Sequence, residues 1–330
     1  MSAPLTAPTS APTAPRTTAP RTTVDWPSGP PTETVAELVR TLELTVTRRL
    51  AGFLHGNYQG ITPGHGSEPG ESRMYQIGDD VRRIDWNVTA RTRDLYVRDQ
   101  IADRDLEGWL LVDVSAAMRF TTAGPEKASV ALGAAAAVGF LTARNQNRIG
   151  AVLVAGPDSI TFPPRPGKLQ VRAILQAIAS PPDSAGRGKA DLAGAIDRVA
   201  AVSKRRGFVT IISDFLSPGW QRQIGGLAMR NDVLAIEIID PRELDLPAVG
   251  YVALNDPSTG RVREVRLTDD LRRRYAAAAQ AQRGAIHNDI RGAGADHLVL
   301  RTDGDWITDL VHHVRRRKVQ IAGVGAGLRR

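Results

Sequence analysis

Two short stretches hold the residue types best suited to chemistry. In LLVDVSAAM (110–118) an apolar run ends in Asp113, and Ser115 follows two residues later. In TIISDF (210–215) a second apolar run delivers Ser213 and Asp214. Two carboxylates and a hydroxyl brought to one sheet edge suit a hard cation such as Mg²⁺ or Mn²⁺, which takes oxygen ligands. The plainer alternative is that these acids cap helix N-termini and hydrogen-bond their own loops.

The elements needed to present these residues are legible around them. From Glu107 onward, apolar strands alternate with helices. GWLLVDVS reads as a buried strand, PEKASVALGAAAAVGFLTAR as an alanine-rich helix, RIGAVLVAG and SITFPPR as strands, and KLQVRAILQAIAS as a helix. ADLAGAIDRVAAVSKRR follows as a helix stopped by Gly207, then the strand GFVTIISDF, a short helix to about residue 230, and the strand DVLAIEIID. A hairpin at 250–267, a helix at 268–290, the strand DHLVLRT and a closing helix DWITDLVHHVRRR complete the series. This alternation predicts an α/β fold, a mostly parallel sheet covered by helices on both faces. Sites in such sheets form at the carboxyl ends of strands, where strand order reverses.

The N-terminal third differs. Residues 1–31 are near-repeats of Ala, Pro and Thr, too poor in apolar surface to offset the entropy of ordering, and read as a disordered tail. Thr34 and Glu37 form a capping box, and Val35, Leu38, Val39, Leu42, Val46 and Leu50 recur at helical spacing. That helix needs a partner for its apolar face, which the later domain supplies. Residues 55–105 are first glycine-rich, then crowded with Arg and Asp, with short strands expected at RMYQI and DLYVRDQ. The expected organisation is a tail (1–31), a helix with an irregular β-containing segment (32–106), the α/β domain (107–318) and a basic C-terminal tail (319–330).

Composition narrows the chemistry. Hydrophobic residues make up 42% of the 330, but aromatics only 5%, so the core must be mostly Ala, Val, Leu and Ile. The absence of cysteine excludes disulfides, thiolate metal sites and a cysteine nucleophile. No uninterrupted apolar run reaches membrane-spanning length, and the N-terminus lacks the apolar core of a secretory signal, so the expected location is cytoplasmic. The net charge is +8, with Arg315, Arg316, Arg317, Lys318, Arg329 and Arg330 near the C-terminus. Such a tail can dock on nucleic acid or anionic lipid, but no aromatic interleaving or nucleic-acid motif accompanies it, and a solvated helix end is the favoured reading. His55, His65, His312 and His313 lack zinc-site spacing, GAGADH precedes a strand where a dinucleotide fingerprint would follow one, and no Gly-x-Ser-x-Gly elbow is present. Nucleotide hydrolysis and acyl transfer therefore have no support.

The most specific pattern is RMYQIGDDVRRIDWNVTARTRDLYVR (73–98). With Gly64, Gly66, Ser67 and Glu68 before it, it sets out Arg73, Tyr75, Gly78, Asp79, Asp80, Arg82, Ile84, Asp85, Trp86, Thr89, Ala90 and Arg91. This closely resembles the signature of the bacterial family called domain of unknown function 58, over about residues 35–310; Pro69 departs from it where the family has an aromatic. Arg73, Arg82 and Arg91 are expected to clamp Asp79, Asp80 and Asp85 into a braced scaffold, and Trp86 to need a partner for its indole N–H. A partner-recognition surface on that scaffold is the sharper form of this expectation.

LLVDVSAAM and TIISDF in turn resemble two of the three loops of the von Willebrand factor type A domain. Its metal-ion-dependent adhesion site uses Asp-x-Ser-x-Ser, a threonine and an aspartate. Asp113, Ser115 and Asp214 match. The second serine falls on Ala117 and the threonine, in GKADLAGAI, on Ala190, so two of five oxygen donors are missing. The resemblance implies a weak or absent Mg²⁺ or Mn²⁺ and no certain cofactor. It also implies a non-enzymatic interaction module, a cytoplasmic adaptor for an AAA+ ATPase of the MoxR type in assembly, maturation or stress response. Metal-dependent binding or chemistry at the degenerate site is the alternative, and tail-mediated nucleic-acid or membrane association the third.

Overall fold

The structure, a computed structural model, describes residues 32–51, 63–76, 79–101, 107–120, 122, 125–143, 147–182, 189–255, 261–313 and 316. The N-terminal and C-terminal tail residues, Gly78 of the signature and the turn at 256–260 lie outside them.

The chain begins with α1 (Thr32–Ala51), β1 (Pro63–Met74), α2 (Trp86–Thr92) and β2 (Tyr96–Ile101). There follow β3 (Glu107–Asp113), α3 (Lys127–Ala143), β4 (Arg148–Ala155), β5 (Asp158–Pro166), α4 (Lys168–Ala179) and α5 (Leu192–Val202). After β6 (Gly207–Ser213) come α6 (Gln221–Ala228), β7 (Asp232–Ile239), β8 (Tyr251–Asn255), β9 (Val262–Arg266), α7 (Asp269–Gly292) and β10 (Asp296–Arg301). A closing helix covers residues 306–313.

Six strands form one sheet in the order β10-β7-β6-β3-β4-β5, parallel except for the β4–β5 pair. This is the α/β architecture expected from the strand–helix alternation. β3 is buried along its whole length, because helices cover both faces. Its alternate residues feed two cores: Leu110 and Val112 join α3, α4 and α1, while Trp109 and Leu111 join α5 and α6. The alanines of α3 let it lie close on the sheet, and Gly133 leaves room for the Trp306 ring, which a Cβ would meet at 2.5 Å. β5 carries Pro163, Pro164 and Pro166, which lack the N–H groups that would recruit another strand to this edge.

Val35 and Val39 of α1 are buried in the α3-side core, so this helix finds its partner in the α/β domain. Glu43 fastens it further, accepting from Lys168 Nζ (3.0 Å) and Arg172 Nη2 (2.8 Å) of α4.

Three local boundaries differ from expectation. α1 starts at Thr32, ahead of the Thr34 cap. α5 ends at Val202, five residues before Gly207 begins a strand. Gly207 pairs with Glu107, and a Cβ on it would sit 1.9 Å from the Glu107 carbonyl oxygen. The glycine serves close strand approach, not helix termination. β1 runs back through the glycine-rich residues to Pro63, since a two-stranded ribbon with bulges tolerates Gly and Pro.

Candidate functional site at the sheet edge

The chain leaves β3 toward β4 on one side and returns to β6 on the other. Strand order therefore reverses between β3 and β6, and their carboxyl ends carry Asp113 and Ser213–Asp214. β7, next to β6, is followed by Asp240. Three neighbouring strands thus deliver an aspartate to the same edge.

Asp113 is fully enclosed. Its Oδ1 accepts the Ser115 N–H (2.9 Å) and its Oδ2 the Ser213 hydroxyl (2.9 Å). Burial, then the negative charge of Asp214, push its carboxyl up to about 6, against the hydrogen bonds from Ser115 and Ser213. Asp214 Oδ1 accepts the Leu216 N–H (3.1 Å), ordering the turn after β6. Phe215 in that turn has φ 56°, a left-handed conformation costly for a residue with a side chain. Its carbonyl accepts the Trp220 indole N–H (3.2 Å), and the two rings meet edge to face at 5.3 Å. Asp240 accepts from the Thr122 N–H (3.2 Å) and the Arg242 N–H (2.9 Å), pinning the loop after β3 to the end of β7.

The site also contains a cation that sequence reasoning missed. Lys127, the first residue of α3, is only 1% exposed. Its ammonium lies 2.9 Å from Asp214 Oδ2 and 2.6 Å from Glu243 Oε1. Burial alone would lower its pKa, but Asp214 and Glu243 outweigh that and hold the amine above its ordinary value. Arg283 of α7 extends the network, donating to the Asp214 carbonyl (2.9 Å), Glu237 Oε1 (2.7 Å) and Glu243 Oε2 (2.9 Å). Beyond it, His297 Nε2 of β10 lies 2.9 Å from Glu237 Oε2 without an aligned hydrogen bond, and its Nδ1 is 2.8 Å from His287 Nδ1. Faint signals existed. Lys127 is a lone cation opening an apolar helix, where the helix dipole disfavours it, and Glu237 is a lone acid inside an apolar strand. Both residue types in such settings demand partners.

The residues present do not fit a divalent cation. Asp113, Ser115 and Asp214 do come together at one edge, as the spacing suggested. Ala117 lies half-buried in a 3₁₀ turn (Ala116–Arg119) and Ala190 is buried, so neither supplies an oxygen. Asp191 beside it turns to its own helix, capping α5 through the Gly194 N–H (2.9 Å). The Asp214 oxygen not used by the turn faces Lys127. Among the described residues no group of three His, Asp or Glu side chains is arranged to hold a metal.

Backbone and short side-chain hydrogen bonds order the signature segment. The Tyr75 N–H donates to the Leu95 carbonyl (2.8 Å), the Asp85 N–H to that of Tyr96 (2.8 Å), and the Tyr96 N–H to Thr89 Oγ1 (3.0 Å). Asp79, Asp80 and Asp85 accept from the N–H groups of Gln76, Arg82 and Asn87, and Ser72 also donates to Asp85. The expected clamp is corrected for Arg82 and Arg91. Both are exposed, and among the described residues no ion pair joins either to an acid. The side chain of Arg73 and all of Gly78 lie outside the described atoms. Trp86 is 68% exposed. Val81 and Met74 are exposed as well.

A mostly parallel sheet of this order, with Asp-x-Ser at the end of β3 and Ser-Asp at the end of β6, resembles a von Willebrand factor type A domain. The chain belongs to the family described as protein of unknown function DUF58, whose pattern matches residues 71–285. It is 49% identical over 291 residues to an uncharacterized protein of Mycobacterium tuberculosis, covering 88% of this chain and 92% of that one. Among solved structures it is similar to the conserved hypothetical protein BatB of Bacteroides thetaiotaomicron (13% identity, 64% and 98% of the two chains, TM-score 0.40). It is also similar to a von Willebrand factor type A domain from Catenulispora acidiphila (12% identity, 65% and 42%, TM-score 0.35).

Proposed function

We propose that this protein is a non-enzymatic interaction module, a cytoplasmic adaptor that works with an AAA+ ATPase of the MoxR type. The observation that carries this reading is the contrast between its two candidate regions. The sheet edge is closed and internally neutralised, with Asp113, Ser115, Asp214 and Lys127 all buried. The family signature instead presents Trp86, Val81 and Met74 to solvent. An exposed tryptophan among exposed arginines has the composition of a binding hot spot. The signature positions Arg73, Tyr75, Gly78, Asp79, Asp80, Arg82, Asp85, Trp86 and Arg91 are accordingly proposed as scaffold and contact surface. The resemblance to the family supplies the ATPase as the partner class. The cytoplasmic assignment draws on the lack of cysteine and on the lack, among the described residues, of any helix long and apolar enough to cross a membrane. Metal-dependent action at Asp113, Ser115 and Asp214 has less support, because Lys127 neutralises Asp214.

Affinity capture on the tagged full chain, in ATP, ADP and a non-hydrolysable analogue, tests the reading. A MoxR-type ATPase should be recovered by the native protein and lost with Trp86→Ala. Recovery of no AAA+ protein in any nucleotide state overturns the partner. Equal recovery by Trp86→Ala overturns the surface.

A further inference from the structure

We infer that the end of the sheet opposite the aspartates is a second docking surface, one that takes an acidic protein segment carrying an apolar side chain. This goes beyond the adaptor reading and does not depend on the signature surface.

β6 and β7 run parallel, so the loops that precede them, 203–206 and 229–231, lie side by side at the amino ends of the strands. The Gly207 N–H donates to Asn231 Oδ1 (3.3 Å) and ties the two loops together. They carry Lys204, Arg205, Arg206 and Arg230, and the one acid beside them in the chain is Asp232. Arg205 and Asp232 are engaged. Lys204, Arg206 and Arg230 are exposed, and among the described residues no ion pair joins their side chains to an acid. None of the three side chains caps a helix end. In the last turns of α5 and α6 the carbonyls of Val199, Gly225 and Leu227 accept the backbone N–H groups of Ser203, Met229 and Asn231. Three positive charges thus face outward with no structural use.

An apolar element adjoins them. Met229, just past the end of α6, is 84% exposed, more than any other large apolar side chain described. Val202, the last residue of α5, is exposed as well. Gly225 stands one turn before Met229 and Gly226 one turn before Arg230, which leaves this part of α6 bare. Neither glycine has a positive φ, and a Cβ on either would meet nothing within 4 Å. The fold therefore requires no glycine at these positions, although each weakens the helix relative to alanine. A bare helix surface instead permits close approach of an external backbone.

The combination selects a protein segment. The unpaired cations are complementary to Asp and Glu, and a methionine adapts its shape to an apolar side chain. Nucleic acid calls for aromatic stacking platforms along a basic track, and the two loops contain no aromatic residue. One methionine offers too little apolar area to hold a membrane surface.

Fluorescence anisotropy on the full chain tests this. The probe is a fluorescein-labelled peptide of Glu and Asp with spaced leucines. The same peptide with serine at each leucine, a single-stranded DNA and phosphatidylglycerol vesicles are the comparisons. The wild type should bind the leucine peptide, and more weakly as salt rises. Arg206→Glu with Arg230→Glu should weaken binding about tenfold or more. Met229→Ser should weaken the leucine peptide about fivefold and leave the serine peptide unchanged. Gly226→Gln should keep or raise the thermal midpoint while weakening binding, which a purely structural glycine would not do. If the charge-reversed protein does not fold, Arg206→Gln with Arg230→Gln is measured in its place. No binding of the leucine peptide at low salt overturns the inference, and so does equal binding by the folded charge variant. Tighter binding of the DNA or the vesicles, lost with the same substitutions, also overturns it by reassigning the surface. Trp86→Ala should bind the probe like the wild type, so failure here and failure of the adaptor reading are distinguishable.

Discussion

Replacing Asp113 with asparagine should make the protein more stable at neutral pH and remove part of its pH dependence. Asp113 is buried, faces the charge of Asp214, and has its carboxyl raised from 3.8 to about 6. The folded state therefore holds this proton more tightly than the unfolded chain. The resulting stabilisation is complete below about pH 3.8 and is lost as pH rises through about 6. A shift of about two units is worth about 3 kcal/mol at roughly 1.4 kcal/mol per unit. Asparagine keeps an oxygen for the Ser115 N–H, and its N–H₂ replaces the bond donated by the Ser213 hydroxyl with one of opposite direction. Chemical denaturation of both proteins at pH 4 and pH 7 measures the effect. Between those values the wild type should lose about 2 kcal/mol relative to Asp113→Asn, because pH 4 already lies just above the ordinary carboxyl value. Asp214 faces Asp113 in both proteins, so the comparison reads the titration of this pair of carboxyls. Parallel pH profiles would show that Asp113 is ionised at no cost in the fold, and would refute the burial argument.

Three further outcomes follow from named contacts. Arg283→Met leaves Glu237 and Glu243 short of a buried partner and should cost about 3–5 kcal/mol in denaturant titration, with the turn after β7 exchanging its amides faster. Gly207→Ala forces a methyl against the Glu107 carbonyl and must part β3 from β6; a loss of about 2–4 kcal/mol is expected, and a change under about 0.5 kcal/mol would contradict the close approach. Glu43→Ala removes the Lys168 and Arg172 pairs; burial raises the Glu43 carboxyl, but those two cations outweigh it and hold it below its ordinary value. The half-exposed partners limit the cost to about 1 kcal/mol, lost in the wild type as pH falls through the lowered Glu43 pKa, and read as faster hydrogen exchange across α1.

The buried network explains why only part of the site was legible in the chain. Asp113, Ser115 and Asp214 were recognisable because each ends or follows an apolar run, and parallel sheets put such residues at one edge. Lys127 meets Asp214 and Glu243 across 87 and 116 residues, and no local pattern encodes such pairings. The signature showed the converse limit. Its density of Arg and Asp suggested mutual clamping, yet Arg82 and Arg91 are exposed, and Asp80 and Asp85 accept from adjacent backbone amides. Whether Trp86 faces the core or solvent was not legible; at the first position of α2 it is exposed.

By itself the sequence determined the α/β class, the strand–helix order, the strand ends that carry the acids, and the missing hydroxyls at positions 117 and 190. The first three follow from periodicity and composition, which act over a few residues, and the last from the resemblance to the type A motif. Tertiary structure alone decided which charge neutralises Asp214, how α7 is tied to the sheet edge, and which signature residues face water. These depend on dry burial and on distances between segments far apart in the chain, where an ion pair either forms or leaves a charge uncompensated.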